Sequence, residues 1–246
     1  MPTPGERVWS FPGLPPGLRA GFTTRRFAAG EMSRRDEVRR LAAALDAPAA
    51  EAAVLSQVHG REVIVLDGEP ESGNLVMAGE GDAAVTSERN RLLVIQSADC
   101  VPILLADPIT GWIAAVHAGW RGTALRILDT VVDALEERGV RAENLFSAFG
   151  PAISRDSYEV GPDVVQRVTE AYDGVPVDTS ASKKGRGDRT LLDVAAFNRA
   201  LLLHRGIPSA QLFESGLCTF ERSDLFPSYR RDGPGTGRIL TGIVRL

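Results

Sequence analysis

Between residues 92 and 116 the sequence carries three short apolar segments, 92–95, 101–105 and 112–116, set apart by turn residues. Runs of four or five aliphatic and β-branched residues are too short for packed helices and read as strands, as does 62–66 before them. In 62–66, 92–95 and 101–105 nearly every position is apolar, which predicts strands covered on both faces. Strands buried on both sides need further layers over them, so a sheet is expected at the centre with helices outside.

Elsewhere the period is helical. A first helix is expected over 34–45, with Ser33 as its N-cap. In 123–138, Leu125, Leu128, Val132 and Leu135 are spaced 3, 4 and 3 apart, which predicts one helix with a single apolar face, stopped by Gly139. A strand at 145–149, helices at 162–172 and 191–205 (the second closed by Gly206 and Pro208) and a last strand at 239–244 complete the reading. Strands mostly precede helices instead of alternating with them, so the expected class is α+β, a mixed β-sheet core flanked by helices. No repeat or long linker divides the chain, and residues 1–246 are expected to form a single domain. The Pro/Gly-rich start and the stretches 182–188 and 233–237 read as surface loops. The Arg-Gly-Asp triplet in the second of these is a chance match.

Charge and cysteine content narrow the functional classes. The net charge is −4, with 28 basic residues dispersed among 32 acidic ones. No basic stripe marks a nucleic-acid surface. No apolar run approaches the roughly 18 residues of a membrane span. The start Met1-Pro-Thr-Pro-Gly-Glu-Arg7 lacks the charged and apolar regions of a secretory signal. Cys100 and Cys218, the only two cysteines, cannot form a disulfide framework and suit a reducing, cytoplasmic setting.

Histidine is scarce: His59, His117 and His204 are all the chain has. His59 precedes a strand in Gln57-Val-His-Gly60, and Cys100 lies between two strands in Ser97-Ala-Asp-Cys-Val-Pro102. His117 ends a strand before Ala118-Gly-Trp-Arg-Gly-Thr123. Side chains at strand ends can converge on one rim of a sheet, and two imidazoles with a thiolate suit zinc with a fourth position open. Such an ion lowers the pKa of a bound water toward neutrality. The plainer alternative is a buried cysteine acting as a small hydrophobe and two histidines satisfied by backbone groups. His204, late in a helix, reads as structural.

Three further segments carry chemistry. Gly119-Trp-Arg-Gly-Thr123 turns a strand into a helix start, where backbone N–H groups and Arg121 could take a phosphate, or simply form a tight turn. Ser228-Tyr-Arg-Arg-Asp232 is either a substrate clamp, with Tyr229 and Arg230 as its contacts, or a solvated loop. Phe149-Gly-Pro-Ala-Ile153 with Tyr158-Glu-Val-Gly161 reads as a wall with an aromatic able to stack on a base, or as core.

At these residues the sequence resembles the laccase-domain family, the YfiH-like proteins. The matching segments are Gln57–Gly60, Gly81-Asp-Ala-Ala-Val-Thr86, Ala98-Asp-Cys100, Ala115-Val-His-Ala-Gly-Trp-Arg-Gly122, Phe149–Ile153, Tyr158–Gly161 and Ser228–Asp232. They run in the family's order from about Ser56 to the C-terminus. The resemblance implies that His59, Cys100 and His117 are the metal-binding and catalytic positions, and that the fold is a mixed β core flanked by helices. It also implies phosphorolysis of purine nucleosides (adenosine, inosine, guanosine and methylthioadenosine) together with adenosine deamination. Asp99, beside Cys100, becomes a candidate acid/base or supporting group. The N-terminal quarter departs from the family pattern. After Thr23-Thr24-Arg25 the Gly-Gly-Val-Ser and Ser-Leu-Asn-Leu stretches are missing, and the usual Asn-Arg pair reads Glu37-Val38.

Other classes remain open at this point. A copper-dependent polyphenol oxidase fits the family's other name, but a multicopper oxidase needs about ten histidines and this chain has three. A single His₂Cys copper site remains chemically open. A metal-free cysteine hydrolase would use Cys100 as nucleophile, His117 as base and Asp99 nearby, as in editing peptidoglycan precursors. A non-catalytic binding module is the third.

Overall fold

The computed structural model describes residues 7–27 and 32–246. The chain begins with strands β1 (Val8–Ser10) and β2 (Leu18–Thr23), helix α1 (Arg34–Ala44), then β3 (Glu51–Ser56), β4 (Val63–Val65), β5 (Leu75–Glu80) and β6 (Ala83–Thr86). It continues through β7 (Arg91–Ser97), β8 (Val101–Ala106), β9 (Ile113–Ala118), helices α2 (Trp120–Ala124) and α3 (Ile127–Glu136), and β10 (Phe146–Phe149). Then follow β11 (Glu159–Val160), α4 (Pro162–Ala171), β12 (Ser182–Lys184), β13 (Thr190–Leu192), α5 (Val194–His204), β14 (Leu212–Glu214), α6 (Tyr229–Asp232) and β15 (Ile239–Arg245).

Two six-stranded mixed sheets form the centre, ordered β1-β2-β15-β7-β3-β5 and β14-β10-β8-β9-β6-β4, with a small sheet β11-β13-β12 beside them. Side-chain parity stacks them into four layers. From β7, Leu93 and Ile95 meet Leu104, Ala106, Ile113 and Ala115 of β8 and β9 between the two sheets. The alternate residues Leu92 and Val94 turn the other way onto Val38, Leu41 and Leu45 of the first helical segment. On the far side of the second sheet, Ile103, Leu105, Ala114 and Val116 pack against Ile127, Leu128, Val131 and Leu201. Every residue of β8 and β9 is buried because these strands lie between a sheet and a helix layer. Among the described residues no helix is long and apolar enough to cross a membrane.

The α+β class and the mixed, helix-flanked core agree with the sequence reading, and α1 is N-capped by Ser33, whose side chain accepts from Asp36 N. Several expectations are corrected. The core holds two main sheets, not one. β4 is an edge strand, half-buried at every position, not a strand covered on both faces. The helix expected over 123–138 is two helices: Arg126 adopts a left-handed conformation (φ 57°, ψ 47°) between α2 and α3. Its guanidinium contacts Asp129 and donates to Ala171 O at 2.9 Å, tying the bend to the end of α4. Leu125 is consequently exposed, and the buried face is Ile127, Leu128, Val131, Val132 and Leu135.

The helix expected from 191 begins at Val194, capped by Asp193, because 190–192 pair with 182–184 as strands. That pairing also takes Ser182–Lys184 out of the expected loop. His204 is exposed in the last turn of α5. Part of the shortened segment after Thr23-Thr24-Arg25, namely 28–31, falls outside the described residues.

Candidate metal centre

The link between β7 and β8 carries the chain from one main sheet to the other, and this crossing presents Cys100. Asp99 turns the bend at φ 89°, a conformation that non-glycine residues adopt at a cost. Three hydrogen bonds hold it there. Its Oδ1 accepts from Thr219 Oγ1 at 2.6 Å, its Oδ2 from Arg230 N at 2.7 Å, and its carbonyl from Ile153 N at 2.9 Å.

His117 lies within β9, opposite Pro102 of β8. It shares parity with Ile113 and Ala115, so its ring sits at the end of the space between the two main sheets, only 3% exposed. His59 comes from the loop between β3 and β4. Two side chains shape that loop. Gln57 donates to Gln96 O (2.7 Å) and accepts from Gln96 N (2.8 Å), pinning the loop to β7. Asp82, just before β6, accepts from the backbone N–H groups of Val58, His59 and Gly60 at 3.2, 3.0 and 2.6 Å. Its Oδ1 also lies 2.8 Å from His117 Nδ1.

The ligand atoms of His59, Cys100 and His117 all lie within 4.8 Å of one another, and the two imidazole rings stand edge to face at 4.9 Å. Around a tetrahedral zinc, with bonds near 2.0 Å to nitrogen and 2.3 Å to sulfur, donor atoms are separated by roughly 3.3–3.8 Å. A small inward movement therefore satisfies a shared ion. The neighbouring backbone leaves room: a Cβ at Gly119 would stand 2.9 Å from Cys100 Sγ and 3.2 Å from His59 Cδ2. A side chain at 119 would therefore crowd the Cys100 thiol.

Electrostatics favour the ligand form of the thiol. Burial pushes Cys100 up, but hydrogen bonds and positive charge from His117 and His59 outweigh it and bring the thiol down to about 6. Burial opposes charge on His117 as well, yet the Asp82 hydrogen bond and the Cys100 thiolate raise it to about 9. Each shift favours the charged form of its own group, thiolate and imidazolium, because each is stabilised by the other. Burial also acts upward on Asp82, but the His117 contact and the loop N–H groups hold it below the ordinary carboxylate range.

A polar group borders the triad. Burial raises Tyr158 to about 12, with the negative charges of Cys100 and Asp99 adding to the effect and Arg230 and Arg121 opposing it, so these groups share one neighbourhood. The Arg230 guanidinium lies 4.9 Å from the Tyr158 ring centroid and donates to Glu159 O at 2.9 Å. Arg121 is exposed and lies over the Trp120 ring at 4.6 Å. The segment expected as a clamp or loop is the one-turn helix α6, capped by Ser228 Oγ on Arg231 N at 3.2 Å, with Tyr229 exposed. Arg25 braces it, donating to Phe226 O (3.0 Å) and Asp232 Oδ2 (2.9 Å). Thr23 Oγ1 meanwhile accepts from Leu240 N (2.9 Å), which gives the Thr-Thr-Arg string an anchoring position.

The structure thus brings His59, Cys100 and His117 together, places Asp99 beneath α6, and sets Arg121 and Arg230 near Tyr158. The residue that sequence reasoning missed is Asp82, quoted within Gly81–Thr86 but given no part. A lone acid directly before the small apolar strand Ala83–Thr86 was the available signal, and its complete burial is what the structure adds. Two clefts, one beside Arg199, Glu214 and Cys218 and one beside Phe11, Leu104 and Phe213, are lined by residues other than the triad, in which His59 is exposed and His117 buried.

Comparison with known proteins places this arrangement. Residues 31–246 match the family model described as multi-copper polyphenol oxidoreductase laccase. A purine nucleoside phosphorylase of Deinococcus radiodurans is 43% identical over 200 residues, 81% of this chain and 72% of that protein. Adenosine deaminase RL5, from an unknown prokaryotic organism, is 38% identical over 67% of this chain and 62% of its own length. Among solved structures, YfiH of Bacillus licheniformis superposes with a TM-score of 0.81 at 26% identity, covering 93% of both chains. YlmD of Geobacillus stearothermophilus does so with a TM-score of 0.80 at 28% identity over 94% of this chain and 92% of that one. On the match of its sequence from residue 31 onward and the shared fold, the chain belongs to the multi-copper polyphenol oxidoreductase laccase family, the YfiH-like laccase-domain proteins.

Proposed function

We propose that this chain, acting as a single domain, is a purine nucleoside phosphorylase that also deaminates adenosine. Its substrates on this reading are adenosine, inosine, guanosine and methylthioadenosine, with phosphate as co-substrate. The carrying observation is the convergence of His59, Cys100 and His117 in a chain whose relatives are named purine nucleoside phosphorylase and adenosine deaminase. The donor set fits zinc, with copper the chemical alternative. Bound there, zinc supplies a Lewis acid and activates water at neutral pH.

The chain's own residues do the rest. In phosphorolysis a phosphate oxygen attacks C1′ as the bond from C1′ to the base breaks, yielding sugar 1-phosphate and free base. Arg121 and Arg230, whose charges both act on Tyr158, supply positive charge for the phosphate, and Tyr158 and Tyr229 supply aromatic faces for the base. Both carboxylate oxygens of Asp99 are already engaged by Thr219 and the Arg230 backbone, which supports a part in holding α6 rather than in proton transfer. The two free cysteines support a reducing, cytoplasmic setting.

A second reading has an observation in its favour. The Cys100 thiolate, the His117 ring and the Asp82 carboxylate follow one another as nucleophile, base and orienting acid, the order a metal-free cysteine hydrolase requires. Asp82, not Asp99, would be its third member. The copper oxidase reading is limited to one copper, because three histidines cannot house several.

Metal analysis of protein purified without added metal, followed by adenosine assays with and without phosphate, separates these readings. Stoichiometric zinc with phosphate-dependent adenine release supports phosphorolysis, and inosine formation supports deamination. A metal-free protein without purine turnover, inactivated by thiol alkylation toward another substrate, overturns the proposal in favour of the hydrolase.

A further inference from the structure

We infer that Asp82 is the positioning residue of the metal centre, a single carboxylate that sets His117 through its ring and His59 through its backbone. The inference rests on the metal-centre reading above and assigns a part to a residue outside the ligand set.

The geometry is specific. Asp82 is fully buried, and its Oδ1 accepts from His117 Nδ1 at 2.8 Å. With Nδ1 as donor, the ring's other nitrogen, Nε2, is the one left to meet an ion beside Cys100 and His59. A carboxylate on the far nitrogen of a ligating histidine fixes both tautomer and ring plane. Around the same two oxygens, the N–H groups of Val58, His59 and Gly60 close at 3.2, 3.0 and 2.6 Å. Three successive N–H groups aimed at one anion require a curled backbone, and His59 provides it at φ 63°. That conformation costs a non-glycine residue free energy, and the anion offsets it. Register makes the arrangement repeatable: the Asp82 carbonyl accepts from His117 N at 2.7 Å, so the sheet itself sets acid and histidine opposite each other.

An uncharged amide cannot replace this. Asparagine has one acceptor oxygen, and its NH₂ would face the loop's N–H groups or the ring N–H. One substitution therefore disturbs two ligands from two different elements. A carboxylate that only closed the 58–60 loop would have no need of the His117 contact, and this separates positioning from plain structural support.

The test has two arms. Zinc affinity is measured by chelator competition for the wild-type protein and Asp82→Asn, with an expected weakening of about 10–100-fold. In parallel, long-range ¹H–¹⁵N spectra of the zinc-loaded wild-type protein, labelled at histidine, report which nitrogen of His117 carries the proton. The expected result is a protonated Nδ1 and zinc on Nε2. Zinc on Nδ1, or wild-type affinity in Asp82→Asn, overturns the inference while leaving the metal centre intact. A wild-type protein that takes up no zinc overturns both. If Asp82→Asn does not fold, the wild-type spectra decide alone.

Discussion

The triad rim and the α6 arch are each tied to a buried aspartate, yet they are built differently. At the rim, Asp82 is wholly enclosed, and its partners are one ring and three backbone N–H groups. The candidate ligands His117 and Cys100 lie in or beside strands that are buried at every position. In the arch, Asp99 holds one hydroxyl and one backbone N–H, and the side chains carried outward by α6, Tyr229 and Arg230, are exposed. On the proposed reading, ion coordination tolerates little displacement and would call for rigid internal support, whereas a surface that admits and releases substrate would call for charge and aromatic area on an element with few buried contacts.

Substituting each region in turn should separate their contributions. The largest effect is expected from His117→Ala, which removes a ligand and exposes the end of the inter-sheet space. Zinc content should fall well below one per chain, and kcat/KM on the order of 10²–10⁴-fold, the range for losing a group that activates the nucleophile. Zinc at wild-type stoichiometry in this variant would break the distinction at its root.

Next comes a pH effect confined to the rim. In metal-free protein Cys100 is held down to about 6, so the thiolate prevails above that pH and is lost as pH falls through it. Residue-resolved alkylation of Cys100 should therefore level off above about 6 and decline below. In His117→Ala the midpoint should move up toward the ordinary thiol value of about 8.5. An unmoved midpoint would show that His117 does not stabilise the thiolate.

Asp99→Asn addresses the arch. Asparagine tolerates the positive φ, so the change acts on the two hydrogen bonds to a charged acceptor, with an expected stability loss of about 1.5–3 kcal/mol in denaturant unfolding. Nucleoside KM should rise while zinc content stays at the wild-type level. Loss of zinc in this variant would show that the two regions are one. The smallest effect belongs to Arg230→Ala. Stability should change by less than about 1 kcal/mol, because the guanidinium is exposed. Phosphate KM should rise about tenfold, which corresponds to about 1.4 kcal/mol.

The same contrast explains what could be read without a structure. The strands around 92–95, 101–105 and 112–116 were legible because burial on both faces leaves a continuous apolar record. The Ser33 cap and the Gly139 stop (φ 84°) were legible because local hydrogen bonding and glycine's backbone freedom are written in single residues. The break at Arg126 was not, since the 3-4-3 spacing through Leu125 continues across it and only the tie to Ala171 O reveals the bend. β13 was hidden for a related reason: its apolar pair Leu191 and Leu192 merges into the helical pattern that follows.

By itself the sequence determined which side chains could bind an ion, because so few histidines and cysteines exist in the chain, and that they stood at strand ends. Only the tertiary structure decided that they meet, and that Asp82 rather than Asp99 faces His117. Both acids sit next to motif residues in the chain. Sheet register and the crossing between sheets turn one toward the imidazole and the other toward α6, and neither is a property of neighbouring residues along the sequence.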